Sequence, residues 1–197
     1  VYNCYMDRFY IEETQECITQ QEYMNETARE QFLKRFAIAE PHPDTDDRSR
    51  AASWESLVHM EIEQEDKSLL GFCVLGGIFS EGIDLKGESL IGAIIVGTGL
   101  PQVCFERELL KDYFNAEGKN GFDFAYRYPG MNKVQQAAGR VIRSETDRGI
   151  VALLDDRFLQ TGYQKLFPRE WQSYRCVTGA TCAEAVDNFW KYTKDNK

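Results

Sequence analysis

Three short, unbroken apolar runs constrain this chain more than any other feature: Leu69–Leu75 (LLGFCVL), Leu90–Val96 (LIGAIIV) and Gly149–Leu154 (GIVALL). A strand with one wet face alternates apolar and polar residues, whereas a strand covered on both faces reads as a continuous hydrophobic run. Two stretches of helical spacing, Val103–Phe114 and Asn132–Arg143, lie between the second run and the third, the latter after a break at Pro129-Gly130. Buried strands alternating with helices predict an α/β fold around a mostly parallel central sheet.

The N-terminal part is less regular. Val1–Tyr10 reads as the tail of a helix and Glu16–Gln20 as a short strand. Asn25 is a candidate N-cap, and Ala28, Phe32, Leu33 and Phe36 recur at helical spacing through Ala37, before Pro41 and Pro43. The glycosylation-type triplet Asn25-Glu26-Thr27 is read as that helix start. A last helix is expected over Ala183–Tyr192, with Thr181 as its cap. At 197 residues the chain fits one domain, 1–197, with residues 40–68 as an acidic loop or insertion whose middle, Ala51–Ile62, forms a solvated helix.

Composition bounds the function classes. Hydrophobic residues are 43% and aromatics 13%, enough for a packed core, which argues against intrinsic disorder. No stretch approaches the roughly 20 apolar residues that span a bilayer. No basic-then-apolar leader opens the chain, so secretion is not expected. The six cysteines, Cys4, Cys17, Cys73, Cys104, Cys176 and Cys182, contain no C-x-x-C, and only His42 and His59 could join them, so a zinc site is not expected. Cys73 reads as a small core residue, and the thiols as reduced, in a cytoplasmic protein.

A net charge of −9 looks wrong for a nucleic-acid binder, but it is uneven. Residues 40–66 carry nine acids and two arginines, a net of −7, which leaves −2 for everything else. From Arg127 to Arg148 the balance is +3. Screening limits distant charges to about 8–10 Å of reach, so a local basic patch can bind phosphate on an acidic chain.

Two constellations carry chemistry. On a helix through residue 143, Gln136, Arg140 and Arg143 fall at i, i+4 and i+7 on one face, opposite Val134, Ala137, Ala138 and Val141. Paired guanidiniums beside an amide make a fork for phosphate oxygens. The same spacing equally reads as a solvated face salt-bridged to Glu145 or Asp147. Gly139, in mid-helix on this reading, costs about 1 kcal/mol relative to Ala, which suggests close approach by a backbone or ligand. The second constellation, Gly76–Leu85 (GGIFSEGIDL), follows a strand directly, where ligands bind in open α/β sheets. Paired glycines allow close backbone approach, Ser80 and Glu81 can open a turn with free N–H groups, and Asp84 can accept a ribose hydroxyl or orient an arginine. A tight glycine turn with a satisfied Asp is the alternative.

Several near-matches fail. Gly97-Thr98-Gly99 has Gln102 where a dinucleotide fingerprint needs its third glycine, and Gly118-Lys119 has Tyr113 where a Walker loop needs its first. Asp155-Asp156 reads as a cap rather than a metal pair. No Ser-His-Asp set is legible. Trp171, Tyr174 and Trp190 read as core rather than as base-stacking platforms.

Taken in order, these segments resemble a known family. QAAGRVIRSETDRG at 136–149 resembles motif six of superfamily-two helicases, kernel Q-x-x-G-R-x-x-R, with Asp147 and Gly149 favouring the XPD/DinG branch. GGIFSEGIDLKG at 76–87 resembles motif five of that branch, GTGLP at 97–101 its following strand-loop, and DDRF at 155–158 with LFPREW at 166–171 its closing segment. The resemblance runs from about Gln15 to Trp171 and implies a RecA-like three-layer fold, the second of two motor domains. The Walker lysine and metal-binding acid pair belong to the first domain, so the chain is expected to be the C-terminal part of a longer enzyme, as its start at Val1 also suggests.

The resemblance further implies roles. ATP and Mg²⁺ would sit on the first domain, with Arg140 and Arg143 as catalytic arginine fingers and Gln136 orienting the phosphates or attacking water. Gly82, Asp84 and Gly139 would approach the nucleotide; Gly77, Phe79 and Ser80 would touch single-stranded DNA. The implied activity is ATP-dependent, 5′–3′ DNA unwinding in repair or replication, in a bacterial cytoplasm. An iron–sulfur cluster, where the family has one, lies in the first domain, so the six cysteines here are not its ligands. The other functions carried are a non-catalytic nucleic-acid-binding module and an interaction domain whose acidic segment docks a protein.

Overall fold

The computed structural model describes residues 1–8, 10, 14–36, 68–79, 85, 89–143 and 147–195. The chain divides into two compact units, residues 1–90 and 91–197. The acidic stretch expected to be an insertion falls outside the described residues, apart from Ser68.

The first unit contains α1 (Tyr2–Arg8), β1 (Gln15–Thr19), α2 (Glu26–Lys34) and β2 (Ser68–Phe72). β1 and β2 pair in parallel, from Gln15 opposite Ser68 to Thr19 opposite Phe72. Asn25 caps α2 as its sequence position predicts, its Oδ1 accepting the Ala28 N–H at 2.8 Å. α2 ends at Lys34, short of Ala37. Tyr2 and Tyr5 pack their rings on Phe72, and Phe32 contacts both Phe36 and Phe79. Arg35 is ion-paired with Glu16.

β2 is shorter than the apolar run that announced it. Past Phe72 the partner strand has ended and Gln20 takes over: its main-chain N–H donates to Phe72 O at 2.8 Å, and its side-chain Oε1 accepts the Val74 N–H at 3.0 Å. The ladder thus closes on a side chain, and residues 75–79 turn away. Two-sided burial is not met here either, since β2 is half-buried or exposed throughout. Cys73, expected in the core, is an exposed residue, although burial of its thiol pushes that group's pKa up to about 11.

The second unit runs β3 (Gly92–Val96), α3 (Phe105–Ala116), a π-helical stretch Asp123–Arg127, α4 (Tyr128–Ala138), β4 (Ile150–Leu154), α5 (Thr161–Gln164) and α6 (Gly179–Asp195). β3 and β4 pair in parallel, from Gly92 opposite Ile150 to Val96 opposite Leu154. α4 packs on β3 and supplies the core: Met131, Val134 and Ala138 are buried with Tyr126, Val141, Phe158 and Tyr163. β3 is covered on one face only, with Ile95 5% exposed and Ile94 68%. The runs therefore gave the strands correctly, while the second face of β3 is open.

The starts of α4 and α6 also differ from expectation. Pro129-Gly130 does not break α4 but lies in its first turn, directly after the π-helical stretch; the carbonyl of Ala125, four residues before the proline, accepts from Arg107 Nη1 at 2.8 Å. α6 starts at Gly179, ahead of the expected Ala183. Thr178 and Thr181 close its N-terminus reciprocally: the Thr178 N–H donates to Thr181 Oγ1 at 3.0 Å, and the Thr181 N–H to Thr178 O at 3.1 Å. Phe167 gathers Trp171 and Tyr174 around its ring, with Trp171 half-buried and Tyr174 exposed.

Candidate functional site

In the second unit the chain leaves β3 through Gly97-Thr98-Gly99, with φ of +86° at Gly97 and +64° at Gly99, a region open to glycine. The Gly97 N–H still donates to Leu154 O at 3.1 Å, so the ladder holds to the last strand residue. Thr98 is 1% exposed beneath α4. A Cβ on Gly130 would stand 2.6 Å from Thr98 O and 3.1 Å from Leu100 N, so the loop after β3 and the start of α4 touch backbone to backbone.

The arginine segment departs from the helical ridge the spacing predicts. α4 stops at Ala138, and Gly139 is its C-cap with φ −66° and ψ −2°. Arg140 and Val141 continue as a turn, their N–H groups donating to Ala137 O at 3.2 Å and Ala138 O at 3.1 Å. Gln136 is exposed on the helix, Arg140 half-buried in the turn, and Arg143 exposed in irregular chain beyond it. The turn is set by Val141, which is buried and fills the space a Gly149 side chain would need: a Cβ there would come within 2.3 Å of Val141 Cγ1. The nearest atom to a Gly139 Cβ would be Gln135 O at 3.2 Å, so the close approach at this glycine is to its own helix. Asp147 does meet Arg143, but its Oδ2 accepts the Arg143 main-chain N–H at 2.9 Å.

In the first unit, Gly76 has φ +80°, and Gly77 is crowded: a Cβ there would meet Val74 O at 2.9 Å and the Gln20 amide at 3.0 Å. The Gly77 N–H donates to Val74 O at 2.8 Å. Phe79, expected to touch DNA, is 4% exposed and stacked on Phe32 with centroids 4.4 Å apart; an aromatic ring anchored on α2 in this way is core, not contact surface. Ser80, Gly82 and Asp84 lie outside the described residues.

Supporting residues emerge that sequence reading missed. Gln135, not Gln136, turns inward and donates from Nε2 to Leu166 O at 2.6 Å, tying α4 to the closing segment. Arg127 pairs with Asp123 at 2.8 Å and lies over the Tyr163 ring at 5.0 Å. The i, i+4 spacing of Asp123 and Arg127 was a legible signal; Gln135 left none. Asp155 caps the turn at 156–159 as expected: Oδ1 accepts the Arg157 main-chain N–H at 2.9 Å and Nε–H at 2.8 Å, and Oδ2 accepts Nη2–H at 2.7 Å. These bonds hold the Asp155 carboxyl below the usual carboxylate range. The buried Tyr126 donates its hydroxyl to Glu108 at 2.6 Å, and that hydrogen bond to a carboxylate, with desolvation, pushes its pKa up to about 12. Among the described residues no group of three or more His, Cys, Asp or Glu gathers to hold a metal.

Comparison with known proteins locates this arrangement. The helicase C-terminal domain family matches residues 4–174. The regulator of telomere elongation helicase 1 homolog of Caenorhabditis elegans is 32% identical over 141 residues, covering 66% of this chain and 14% of that protein. The ATP-dependent DNA helicase DinG of Photobacterium profundum is 38% identical over 91 residues, covering 45% of this chain and 13% of that protein. A solved structure described as an XPD helicase aligns with 83% of this chain and 29% of its own, at 21% identity and a TM-score of 0.44.

Proposed function

The chain belongs to the helicase C-terminal domain family, with that family's RecA-like α/β fold, and from this premise we propose that it is the second motor domain of an ATP-dependent DNA helicase moving 5′–3′ along single-stranded DNA. The observation that carries the reading is the intact Gln136, Gly139, Arg140, Arg143 spacing inside the family-matched residues.

The mechanism follows the phosphoryl-transfer template, in which catalysis is positioning plus stabilisation of charge on the transferring group. ATP, with its Mg²⁺, is held by the first motor domain of the same polypeptide. Arg140 and Arg143 bring guanidiniums to the β- and γ-phosphates when the cleft closes, and Gln136 orients the phosphates or the attacking water. The arginines sit in and beyond a turn, so their reach is set by the Gly139–Val141 geometry rather than by a rigid helix face. Gly82, Asp84 and Gly139 keep the nucleotide-binding roles that the family resemblance implies. Gly77 and Ser80 line the DNA track, and the buried Phe79 ring anchors the segment between them.

Steady-state ATPase assays on the polypeptide that joins this chain to its first motor domain test the reading. Arg143→Ala should lower kcat by about 10³-fold or more, with KM for ATP little changed. Turnover at the wild-type rate would remove the finger role.

A further inference from the structure

Helix α6 begins after the family-matched residues end at 174, yet it returns to the arginine segment. Arg148 donates from Nη1 to the main-chain oxygen of Thr193. Thr193 lies in the last turn of α6, where carbonyls have no intrahelical donor and carry the negative end of the helix dipole. A guanidinium is the donor such an end favours. The Thr193 hydroxyl donates back to Trp190 O at 3.0 Å, which closes that turn. Ile142 and Arg148 on one side, with Phe189 and Tyr192 on the other, border a cavity of about 290 Å³.

The connection continues inward. Asp147, next to Arg148, accepts the Arg143 main-chain N–H at 2.9 Å, and Gly149 abuts the buried Val141. A contact at Thr193 therefore bears on both ends of the loop that carries Arg143.

We propose that α6 is a positioning clasp for the arginine segment and that Arg148 is its fastening. This rests on the arginine-finger reading above. Arg148 touches no nucleotide on this account; it holds the loop from which Arg143 reaches.

Hydrogen exchange on the 197-residue chain reads the clasp without ATP. Arg148→Ala should speed exchange at the Arg143 amide and its neighbours about tenfold, leaving β3 and α4 unchanged, and Arg148→Lys should restore most of the protection. Unchanged exchange at Arg143, or equal acceleration throughout the unit, overturns the proposal. In the two-domain polypeptide, Arg148→Ala should lower kcat roughly tenfold at unchanged KM for ATP, again rescued by Lys. An inactive Arg143→Ala beside a fully active Arg148→Ala rejects the clasp alone. An inert Arg143→Ala rejects the finger reading, while the exchange result still decides the clasp.

Discussion

At Gly130 a side chain has no room, because a Cβ would lie 2.6 Å from Thr98 O in a loop that is itself backbone. Neither partner can swing aside as a flexible side chain would. Gly130→Ala should therefore cost about 1–3 kcal/mol and lower the melting temperature. Gly179→Ala, with nothing within 4 Å, should not; equal melting temperatures for the two variants would contradict the backbone contact. Asp155 makes a different kind of prediction. Its carboxyl is depressed by the Arg157 hydrogen bonds, so its stability contribution is present above the unfolded value, about 3.9, and is lost as pH falls through the folded value. With the Arg157 side chain 42% exposed, the pair and cap together are worth about 1 kcal/mol. The gap between wild type and Asp155→Asn should hold near neutral pH and close below about pH 4 in denaturant titrations. A gap independent of pH would show that the carboxylate is not the source.

At the scale of elements, signals that act over a few residues were the ones the sequence carried well. Asn25 stands three residues before the N–H it accepts, and the cap formed where the residue type predicted it. Asn25→Ala should cost about 1 kcal/mol, measurable as a lower denaturation midpoint. The end of α4 was not legible for a definite reason. Val134, Ala138 and Val141 keep a helical apolar period, so the pattern reads straight through Gly139. What stops the helix is Val141 packing into the space left by Gly149, eight positions further along. Gly149→Ala should displace Val141, and with it the turn that carries Arg140. Exchange at the Arg140 and Val141 amides should rise, and unchanged protection there would mean the turn holds itself.

At the scale of the whole molecule, each unit holds one parallel strand pair among the described residues, and β3 is covered on one face. The chain spans only 14% of one curated relative and 13% of another, and the proposed mechanism assigns the triphosphate grip to another domain. The isolated chain should accordingly show no DNA-stimulated ATPase. It should bind single-stranded DNA weakly and lose affinity as salt rises, with the modest slope expected of a few phosphate contacts; submicromolar binding at physiological salt would contradict so small a number of contacts. By itself the sequence determined the strands, the start of α2, the turn glycines and the order of the family's motifs. All of these arise from interactions spanning a few residues or from residue types a backbone conformation demands. Only the tertiary structure decided that Phe79 faces inward, that Gln135 rather than Gln136 braces α4, that the two arginines leave the helix, and that α6 returns to Arg148. Each depends on a contact between residues distant along the chain, and no local pattern specifies which distant partner will arrive.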